Sequence, residues 1–307
     1  MEWGVITSNM LRYRIEGSGL PLLLIHGWGV TYKIWKNLMP LLMSHFQLIM
    51  IELPGVGSSP EVDPDKAYYP GCAEAIEAVR QKLGIEQWAI LAYSSGTRAG
   101  EAYMQRYPQH VNRAVFLCPV YLTTFCSLGL RFEGWLENSR PGLANWLLSD
   151  WRLYGLVLAL GFNGRRHDYT DEWVDEIGLQ PLCNLKRMLY ELPGKGRSPF
   201  AVSAVPTLFV WGRRDVLTDR PYRRRFNDVF IPANHSAPML AAPCVAQIAI
   251  PFLAEGKLIP RKSHLKQWYR AQRKALAYTY ECTHLFRLIR KVSHRRLISR
   301  RNTFHGV

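Results

Sequence analysis

Short apolar runs alternate with longer amphipathic stretches along most of the chain. Six runs have the length of buried strands: Leu22–Ile25, Phe46–Leu53, Trp88–Tyr93, Arg113–Leu117, Pro206–Trp211 and Asp228–Ile231. Helical spacing of apolar residues is found at Tyr32–Ser44, Cys72–Leu83, Thr97–Tyr107 and Ala242–Leu253. Strands that alternate with helices predict an α/β fold, a mostly parallel sheet with helices on both faces. Gly4–Thr7 and Leu11–Glu16 predict an antiparallel start to that sheet.

The alternation stops between Pro119 and Ser203, where the sequence is helix-rich and carries Trp135, Trp146 and Trp151. We expect a helical cap at residues 120–203 that divides a core of residues 1–119 and 204–255. A helical lid with an apolar underside would make a dry pocket suited to an apolar group. The alternative is that these apolar side chains form the core of the insertion itself.

Charge is concentrated at the C-terminal end of the chain. Residues 1–255 hold 25 Lys and Arg against 23 Asp and Glu, whereas residues 256–307 hold 14 against one. In the latter segment Leu265, Trp268 and Leu276 share one helical face, which predicts a basic amphipathic helical extension. Such an extension, over residues 257–307, could dock on the protein's own body or contact an anionic membrane. Nucleic acid is the least favoured partner.

Composition narrows the class and the compartment of the protein. The 307 residues are 48% hydrophobic and 21% charged, which is ordinary for a globular chain long enough for one large domain and an insertion. Six scattered cysteines without a Cys-x-x-Cys pair predict neither a disulfide framework nor a zinc site. Without a signal-peptide pattern, we expect a cytoplasmic protein, with peripheral membrane contact as an option.

The pentapeptide Ala92-Tyr93-Ser94-Ser95-Gly96 lies between an apolar strand run and a helical stretch. A serine in a strand–turn–helix segment of this kind is typical of a nucleophile elbow, which exposes its hydroxyl above the sheet. Small residues are required two positions before and two after the serine, because backbone passes close on both sides. Ser94 meets that condition and Ser95 does not. The alternative is an ordinary turn with a capping serine.

A nucleophilic serine needs a base to take its proton and a carboxylate to orient the base. In sheets of this kind the chain order is serine, acid, histidine. Asp215 and His235 each follow a strand run, and the carboxyl ends of strands are where α/β sheets place their sites. We therefore predict His235 as base and Asp215 as acid. Asp219 and Asp228 are nearby alternatives for the acid, with loop capping as their ordinary role.

A glycine-rich turn, His26-Gly27-Trp28-Gly29, follows the first buried strand run. Acyl transfer places negative charge on a carbonyl oxygen, which preorganised backbone N–H groups must meet. In a site built on an elbow, one donor is the amide after the nucleophile, here Ser95. The other is expected from the turn, at Trp28. The alternative is a plain turn that closes a strand.

Together these stretches resemble the α/β-hydrolase superfamily. The matching segments span residues 10–253 and are, in chain order, His26–Gly29, Glu52–Ser59, Ala92–Gly96, Pro206–Asp215 and Asn234-His235. The resemblance implies the α/β-hydrolase fold with a catalytic triad and an oxyanion hole, and with no metal or cofactor. The implied residues are Ser94, Asp215 and His235 for the triad, and the backbone N–H groups of Trp28 and Ser95 for the oxyanion hole.

The sequence departs from the superfamily pattern at Glu52, where Asp is usual, and at Asn234, where Gly is usual. The segment between Asp215 and His235 is also short, with room for a helix only at Arg220–Phe226. Within the superfamily, His26–Gly29 is similar to the same stretch of the pimeloyl-acyl-carrier-protein methyl ester esterases.

A serine at the elbow favours a hydrolase of carboxylic esters or thioesters with an apolar acyl group. The alternatives are hydrolysis of a C–C bond beside a carbonyl, and a ligand-binding protein whose triad is slow or idle.

Overall fold

A computed structural model describes residues 10–120, 124–143, 176–177, 179–192, 204–218 and 227–258. These residues form a seven-stranded sheet in the order β1-β3-β2-β4-β5-β6-β7. The strands are β1 (Tyr13–Glu16), β2 (Leu20–Ile25), β3 (Phe46–Ile51), β4 (Trp88–Tyr93), β5 (Val111–Leu117), β6 (Thr207–Gly212) and β7 (Asp228–Ile231). Only β1 runs antiparallel to its neighbour, and it pairs with β3 at one edge.

The central strands are apolar and buried over most of their length because helices cover both faces of the sheet. Every residue of β4 is buried. Its parallel register places Ala92 beside Ile25 of β2 and Tyr93 beside Leu117 of β5. Three segments that the chain separates widely therefore end side by side at one edge of the sheet.

The helices among the described residues are α1 (Met39–Leu42), α2 (Tyr68–Lys82), α3 (Gly96–Arg106), α4 (Thr124–Ser139), α5 (Leu182–Tyr190), α6 (Ala237–Leu240) and α7 (Ala242–Glu255). Two 3₁₀ turns lie at Tyr32–Trp35 and Pro108–His110. Helix α2 packs on α3, and α1 packs on α7. Gly256 ends α7 in the left-handed conformation, with φ of +74°, which is the usual helix stop.

The order of the strands reverses between β2 and β4. The chain leaves β2 for β3 on one side and then crosses to β4 on the other side. Such a switch point opens a crevice beyond the carboxyl ends of the two strands, where α/β proteins bind their ligands. Here the crevice lies between the loop after β2 and the turn after β4.

The six predicted strands are confirmed, with ends that shift by at most two residues. The single helix predicted at Tyr32–Ser44 is wrong, since the structure has a 3₁₀ turn followed by the four-residue α1. Pro40 explains the break, because within a continuous helix its ring would clash with the carbonyl of Lys36. Pro40 instead occupies the first turn of α1, where a missing N–H has no cost.

Two helices, α4 and α5, fall within the segment expected to form a cap. Trp146, Trp151 and Arg220–Phe226 lie outside the described residues, as do Gly4–Thr7 and the extension after Leu258. The domain boundaries and the helical extension accordingly stay predictions. Within the described ranges, no helix combines the length and the apolar character that crossing a bilayer requires.

Candidate active site

Ser94 lies at the tip of the turn between β4 and α3 in a strained backbone conformation. Its φ is +53°, a value that residues other than glycine seldom adopt. Its backbone N–H donates to the carbonyl of Leu117 at 3.0 Å, which fixes the turn against the end of β5. The geometry is that of a nucleophile elbow, in which strain aims the hydroxyl away from the sheet.

Glycines around the elbow allow three backbone segments to approach one another. A Cβ at Gly96 would lie 2.2 Å from the carbonyl oxygen of His26, and one at Gly27 would lie 2.8 Å from the Cβ of Ser94. Both distances are shorter than real side chains show. The small residue expected two positions after Ser94 is thus needed because α3 begins directly against the loop after β2.

The predicted base and acid stand in line behind the serine. The Ser94 Oγ is 2.8 Å from Nε2 of His235, and His235 Nδ1 is 2.7 Å from Oδ2 of Asp215. The three residues are 7%, 4% and 7% exposed, respectively. With the Nδ1 proton donated to the carboxylate, Nε2 is left to accept the serine proton. The short segment between acid and base does not keep them apart.

Asp215 is held by four donors. Its Oδ1 accepts the backbone N–H groups of Leu217 at 2.9 Å and Thr218 at 3.3 Å. Its Oδ2 accepts the hydroxyl of Thr218 at 2.8 Å as well as His235 Nδ1. Donors on both oxygens fix the orientation of the carboxylate toward the imidazole. No motif marks Thr218 in the sequence beyond its place three residues after Asp215.

The alternative acids do not take this place. Asp228 lies at the amino end of β7, where its Oδ1 accepts the indole N–H of Trp211 at 2.8 Å. Its role is structural, and it belongs to the opposite edge of the sheet. Asp219 lies outside the described residues.

Tyr93 supports the base through the backbone. Its hydroxyl donates to the carbonyl oxygen of His235 at 2.9 Å, and the two rings lie 5.4 Å apart. Burial raises the pKa of Tyr93 well above its usual range, so the hydroxyl stays a donor. The sequence analysis assigned Tyr93 no role in the site and missed this contact, which spans 142 positions.

The loop after β6 and the loop after β7 meet beside Asp215 and His235. A Cβ at Gly212, the last residue of β6, would lie 2.8 Å from the carbonyl of Ala233, so glycine is required there. The side chain of Asn234 accepts the backbone N–H of Ser236 at 3.1 Å. It therefore caps the turn after His235, and its departure from the usual glycine leaves the contacts among Ser94, His235 and Asp215 intact.

The glycine-rich turn after β2 is held by the buried ring of His26. The Nδ1 lies 2.8 Å from the carbonyl of Gly27, and Nε2 accepts the backbone N–H of Leu53 at 2.9 Å. Burial lowers the pKa of His26 to about 4. The ring is thus neutral near pH 7, with Nδ1 donating and Nε2 accepting, and it positions the turn that carries Trp28.

The same turn is bonded to the segment expected to form the cap. The indole N–H of Trp28 donates to the carbonyl of Leu185 in α5 at 2.8 Å. The N–H and the hydroxyl of Thr31 each donate to the buried carboxylate of Glu176 at 2.9 Å. Burial raises the pKa of that carboxyl, while the two donors from Thr31 oppose the rise. The loop expected to supply an oxyanion donor is therefore held by hydrogen bonds to Leu185 and Glu176.

Glu52 stands where the superfamily usually has Asp. Its carboxylate is buried, its pKa is raised by that burial, and Arg12 opposes the rise from 4.0 Å. A Cβ at Gly57 would lie 2.2 Å from Oε2 of Glu52. The longer side chain is accommodated because Gly57 has none, and Glu52 supports the loop after β3 without reaching the triad.

Cys118 lies directly after β5, beside the predicted acid and base. Its sulfur lies within 4.8 Å of ligand atoms of both Asp215 and His235. Thiol, carboxylate and imidazole are all ligands of divalent cations. No spacing rule could have found this group, because its members follow three different strands.

Comparisons with known proteins agree with this architecture. The model of the alpha/beta hydrolase fold family matches residues 21–241. A pimeloyl-acyl-carrier-protein methyl ester esterase of Aeromonas salmonicida is 35% identical over 229 residues, covering 72% of this chain and 86% of that protein. A cis-3-alkyl-4-alkyloxetan-2-one decarboxylase of Shewanella oneidensis is 26% identical over 249 residues, covering 70% and 73%.

Among solved structures, a hydrolase from Pseudomonas aeruginosa superposes with a TM-score of 0.64 at 16% identity. The superposition covers 82% of this chain and 97% of that one, and at such identity it shows the fold alone. With the family match over residues 21–241, the chain belongs to the alpha/beta hydrolase fold family. The predicted fold and the resemblance to the superfamily are confirmed.

Proposed function

We propose that this protein is a serine hydrolase that cleaves a carboxylic ester or thioester through an acyl-enzyme on Ser94. The observation that carries the proposal is the hydrogen-bonded line from Ser94 through His235 to Asp215, with contacts of 2.8 Å and 2.7 Å. The strained φ of +53° at Ser94 supports the same role, because strain of this kind is found where a side chain must be presented.

In the first half of the reaction, the Ser94 oxygen attacks the substrate carbonyl carbon and its proton passes to Nε2 of His235. The carbonyl π pair becomes an oxyanion, which the backbone N–H groups of Trp28 and Ser95 stabilise. Asp215 stabilises the imidazolium. The tetrahedral intermediate collapses, the bond to the alcohol or thiol breaks, and Nε2 returns its proton to the leaving group.

In the second half, water takes the place of the alcohol. His235 removes a proton from water, the resulting oxygen attacks the acyl carbon, and the same N–H groups hold the oxyanion. Collapse releases the carboxylic acid and restores the Ser94 hydroxyl. Nothing in this sequence requires a cofactor, and each proton has a place at Nε2.

An ester with an apolar acyl group is the substrate class that we propose. The Aeromonas salmonicida relative is a pimeloyl-acyl-carrier-protein methyl ester esterase, so carrier-bound and free methyl esters are the first compounds to test. The Shewanella oneidensis relative, a decarboxylase, means that family membership alone does not fix the reaction. Hydrolysis of a C–C bond and ligand binding without turnover are therefore outcomes of the test.

Labelling with a fluorophosphonate tests the nucleophile. Wild type and Ser95→Ala should both be labelled, because Ser95 contributes its backbone N–H and Ala keeps that group. Ser94→Ala should not be labelled. Equal labelling of Ser94→Ala and wild type would refute the assignment of the nucleophile.

Turnover of a panel of methyl esters and thioesters with acyl chains of increasing length tests the reaction. We expect wild-type turnover to exceed that of Ser94→Ala by about 10³-fold or more, since loss of a triad member typically costs that much. A wild-type rate no higher than that of Ser94→Ala, despite labelling, would favour the ligand-binding alternative.

We also propose, from the sequence, that residues 257–307 contact an anionic membrane surface from the cytoplasmic side. The 14 basic residues of the extension against one acid supply the attraction. The full chain should co-sediment with vesicles containing phosphatidylserine, and a chain ending at residue 256 should not. Equal sedimentation of both chains, or binding to DNA alone, would refute this part.

A further inference from the structure

Cys118 is a buried thiol that the proposed ester chemistry does not use. It follows β5 directly, its φ is +46°, and its side chain is 0% exposed. Its backbone N–H donates to the carbonyl of Val210 in β6 at 2.8 Å. Because few residues other than glycine adopt this backbone conformation, the surrounding contacts must hold Cys118 in place. They hold it beside the loop that carries the acid.

The thiol forms a compact triangle with two members of the proposed triad. The Cys118 sulfur, a carboxylate oxygen of Asp215 and a ring nitrogen of His235 lie within 4.8 Å of one another. The nitrogen on this side is Nδ1, since it faces Asp215 Oδ2 at 2.7 Å while Nε2 faces Ser94 at 2.8 Å. All three side chains are buried.

The ligand set and the spacing suit a thiophilic cation. Zinc binds sulfur at about 2.3 Å and imidazole nitrogen or carboxylate oxygen at about 2.0 Å, which places tetrahedral ligands roughly 3.3–3.5 Å apart. The present triangle reaches this size if the thiol moves inward by about 1 Å and the carboxylate separates slightly from the imidazole. Thiolate and imidazole select Zn²⁺ or Cd²⁺ over Mg²⁺ and Ca²⁺.

We propose that Cys118, Asp215 and His235 form a binding site for a thiophilic divalent cation such as Zn²⁺, and that its occupation inhibits the enzyme. Only the inhibition rests on the proposed function; the binding site does not. The cation would take a thiolate sulfur, a carboxylate oxygen and the Nδ1 lone pair.

Two protons move when the cation binds. The thiol proton leaves to solvent, and the proton displaced from Nδ1 is taken up at Nε2, so the imidazole stays neutral in its other tautomer. A protonated Nε2 donates to the Ser94 hydroxyl and cannot accept from it. The serine thus loses its base while the rest of the site stays assembled.

Binding is measured on the full chain with Cd²⁺, through the ultraviolet charge-transfer absorption of a thiolate–Cd²⁺ bond, and with Zn²⁺ by competition against a chromogenic chelator. We expect Cys118→Ala and Cys118→Ser each to lose one equivalent of metal. Cys183→Ser, which removes an exposed thiol of α5, should keep it. Ser94→Ala should keep it too, because Ser94 is not a ligand.

Inhibition is measured as the Zn²⁺ concentration that halves each variant's own metal-free rate of ester turnover. That concentration should rise at least about tenfold in Cys118→Ala and Cys118→Ser, because a three-ligand site has become a two-ligand site. Mg²⁺ at the same concentrations should not inhibit. Circular dichroism identifies any variant that fails to fold, and the second substitution then decides.

Metal binding that is equal in wild type and both Cys118 variants would overturn the proposal, whatever the enzyme's activity. Cys118-dependent binding in a protein without ester turnover would instead refute the proposed function and leave the cation site standing. Binding that depends on Cys118 without inhibition in an active enzyme would overturn the inhibitory role.

Discussion

The indole of Trp28 offers a direct test of whether α5 holds the loop after β2 in place. Its N–H donates to the carbonyl of Leu185 at 2.8 Å, and both residues are buried, with Trp28 5% exposed. Trp28→Phe removes this donor but keeps an aromatic ring and the backbone N–H that we assign to the oxyanion hole. The substitution therefore removes the hydrogen bond that supports the loop and keeps the backbone N–H of residue 28.

The size of the effect follows from what the substitution leaves behind. A buried hydrogen bond contributes about 1 kcal/mol net, and a buried acceptor that loses one partner costs about 1–3 kcal/mol. The carbonyl of Leu185 lies inside α5 and keeps its helical bonding, so the lower end applies. If about 1 kcal/mol of that support acts in the transition state, kcat falls about fivefold, since 1.36 kcal/mol is a factor of ten.

The assay compares wild type, Trp28→Phe and Trp135→Phe, the last being a control at a tryptophan of α4 that is 57% exposed. We expect kcat and the rate of fluorophosphonate labelling to fall together in Trp28→Phe, because both reactions place charge in the oxyanion hole. The KM should change by less than about twofold, since the bond does not contact substrate in the ground state. Trp135→Phe should match wild type in all three measurements.

A lowered melting temperature with kcat and labelling rate within twofold of wild type would refute the reasoning. In that case the indole would stabilise the attachment of α5 without positioning the loop. A rise in KM alone would refute it as well, because the contact would then act on substrate binding.

Three further predictions concern the residues around the site. For His26, burial lowers the folded-state pKa from 6.5 to about 4, so the unfolded state takes up the proton first as pH falls. The free energy of unfolding should fall by about 3 kcal/mol between pH 6.5 and pH 4. Urea titrations at several pH values in that range should show a smaller fall for His26→Gln than for wild type. Gly96→Ala should cost more than about 2 kcal/mol because its Cβ would meet a backbone carbonyl at 2.2 Å, whereas Gly134→Ala in α4, where nothing lies within 4 Å, should be neutral or stabilising in thermal melts. Thr218→Val should lower kcat and shift its pH profile by loosening Asp215, and Thr218→Ser should restore both; a profile that Thr218→Val leaves unchanged would contradict this role.

Much of the fold could be predicted because parallel strands buried on both faces have to be apolar throughout. The run Trp88–Tyr93 illustrates this, since all six of its residues are buried. The helix predicted at Tyr32–Ser44 failed for the opposite reason. The apolar residues there have helical spacing, but Pro40 prevents a continuous helix. The spacing of apolar residues alone does not show this.

The strained turn at Ser94 was predictable because its constraints are local. The strain at Ser94 demands small neighbours, and those neighbours are within two residues of it in the sequence. The acid was less determined, since Asp215 and Asp219 both follow the strand run Pro206–Trp211 and Asp228 begins the next run. The structure favours Asp215 as the acid because Asp215 contacts His235. Asp228 lies at the amino end of β7 and bonds to Trp211 instead.

The supporting contacts were not predictable, because they join residues far apart in sequence and mostly through backbone. The Tyr93 hydroxyl reaches the backbone carbonyl of His235 across 142 positions. Cys118 joins the site only because β5 and β6 end side by side. Neither contact leaves a periodicity or a motif in the sequence.

The attachment of α5 to the core also depends on contacts between residues far apart in sequence. It matters for the choice of substrate. The guanidinium of Arg187 donates to the carbonyls of Val62 and Asp63, each at 2.8 Å, and the hydroxyl of Tyr69 donates to the carbonyl of Met188 at 2.8 Å. With the bond from Trp28, these contacts use backbone acceptors on one side of the interface, and backbone acceptors persist when side chains change. Other side chains of α5 can therefore change while the helix stays attached to the core. Substitutions in α5 that keep Arg187, with Tyr69 of α2 unchanged, should therefore alter the acyl-chain profile of turnover more than they alter the melting temperature.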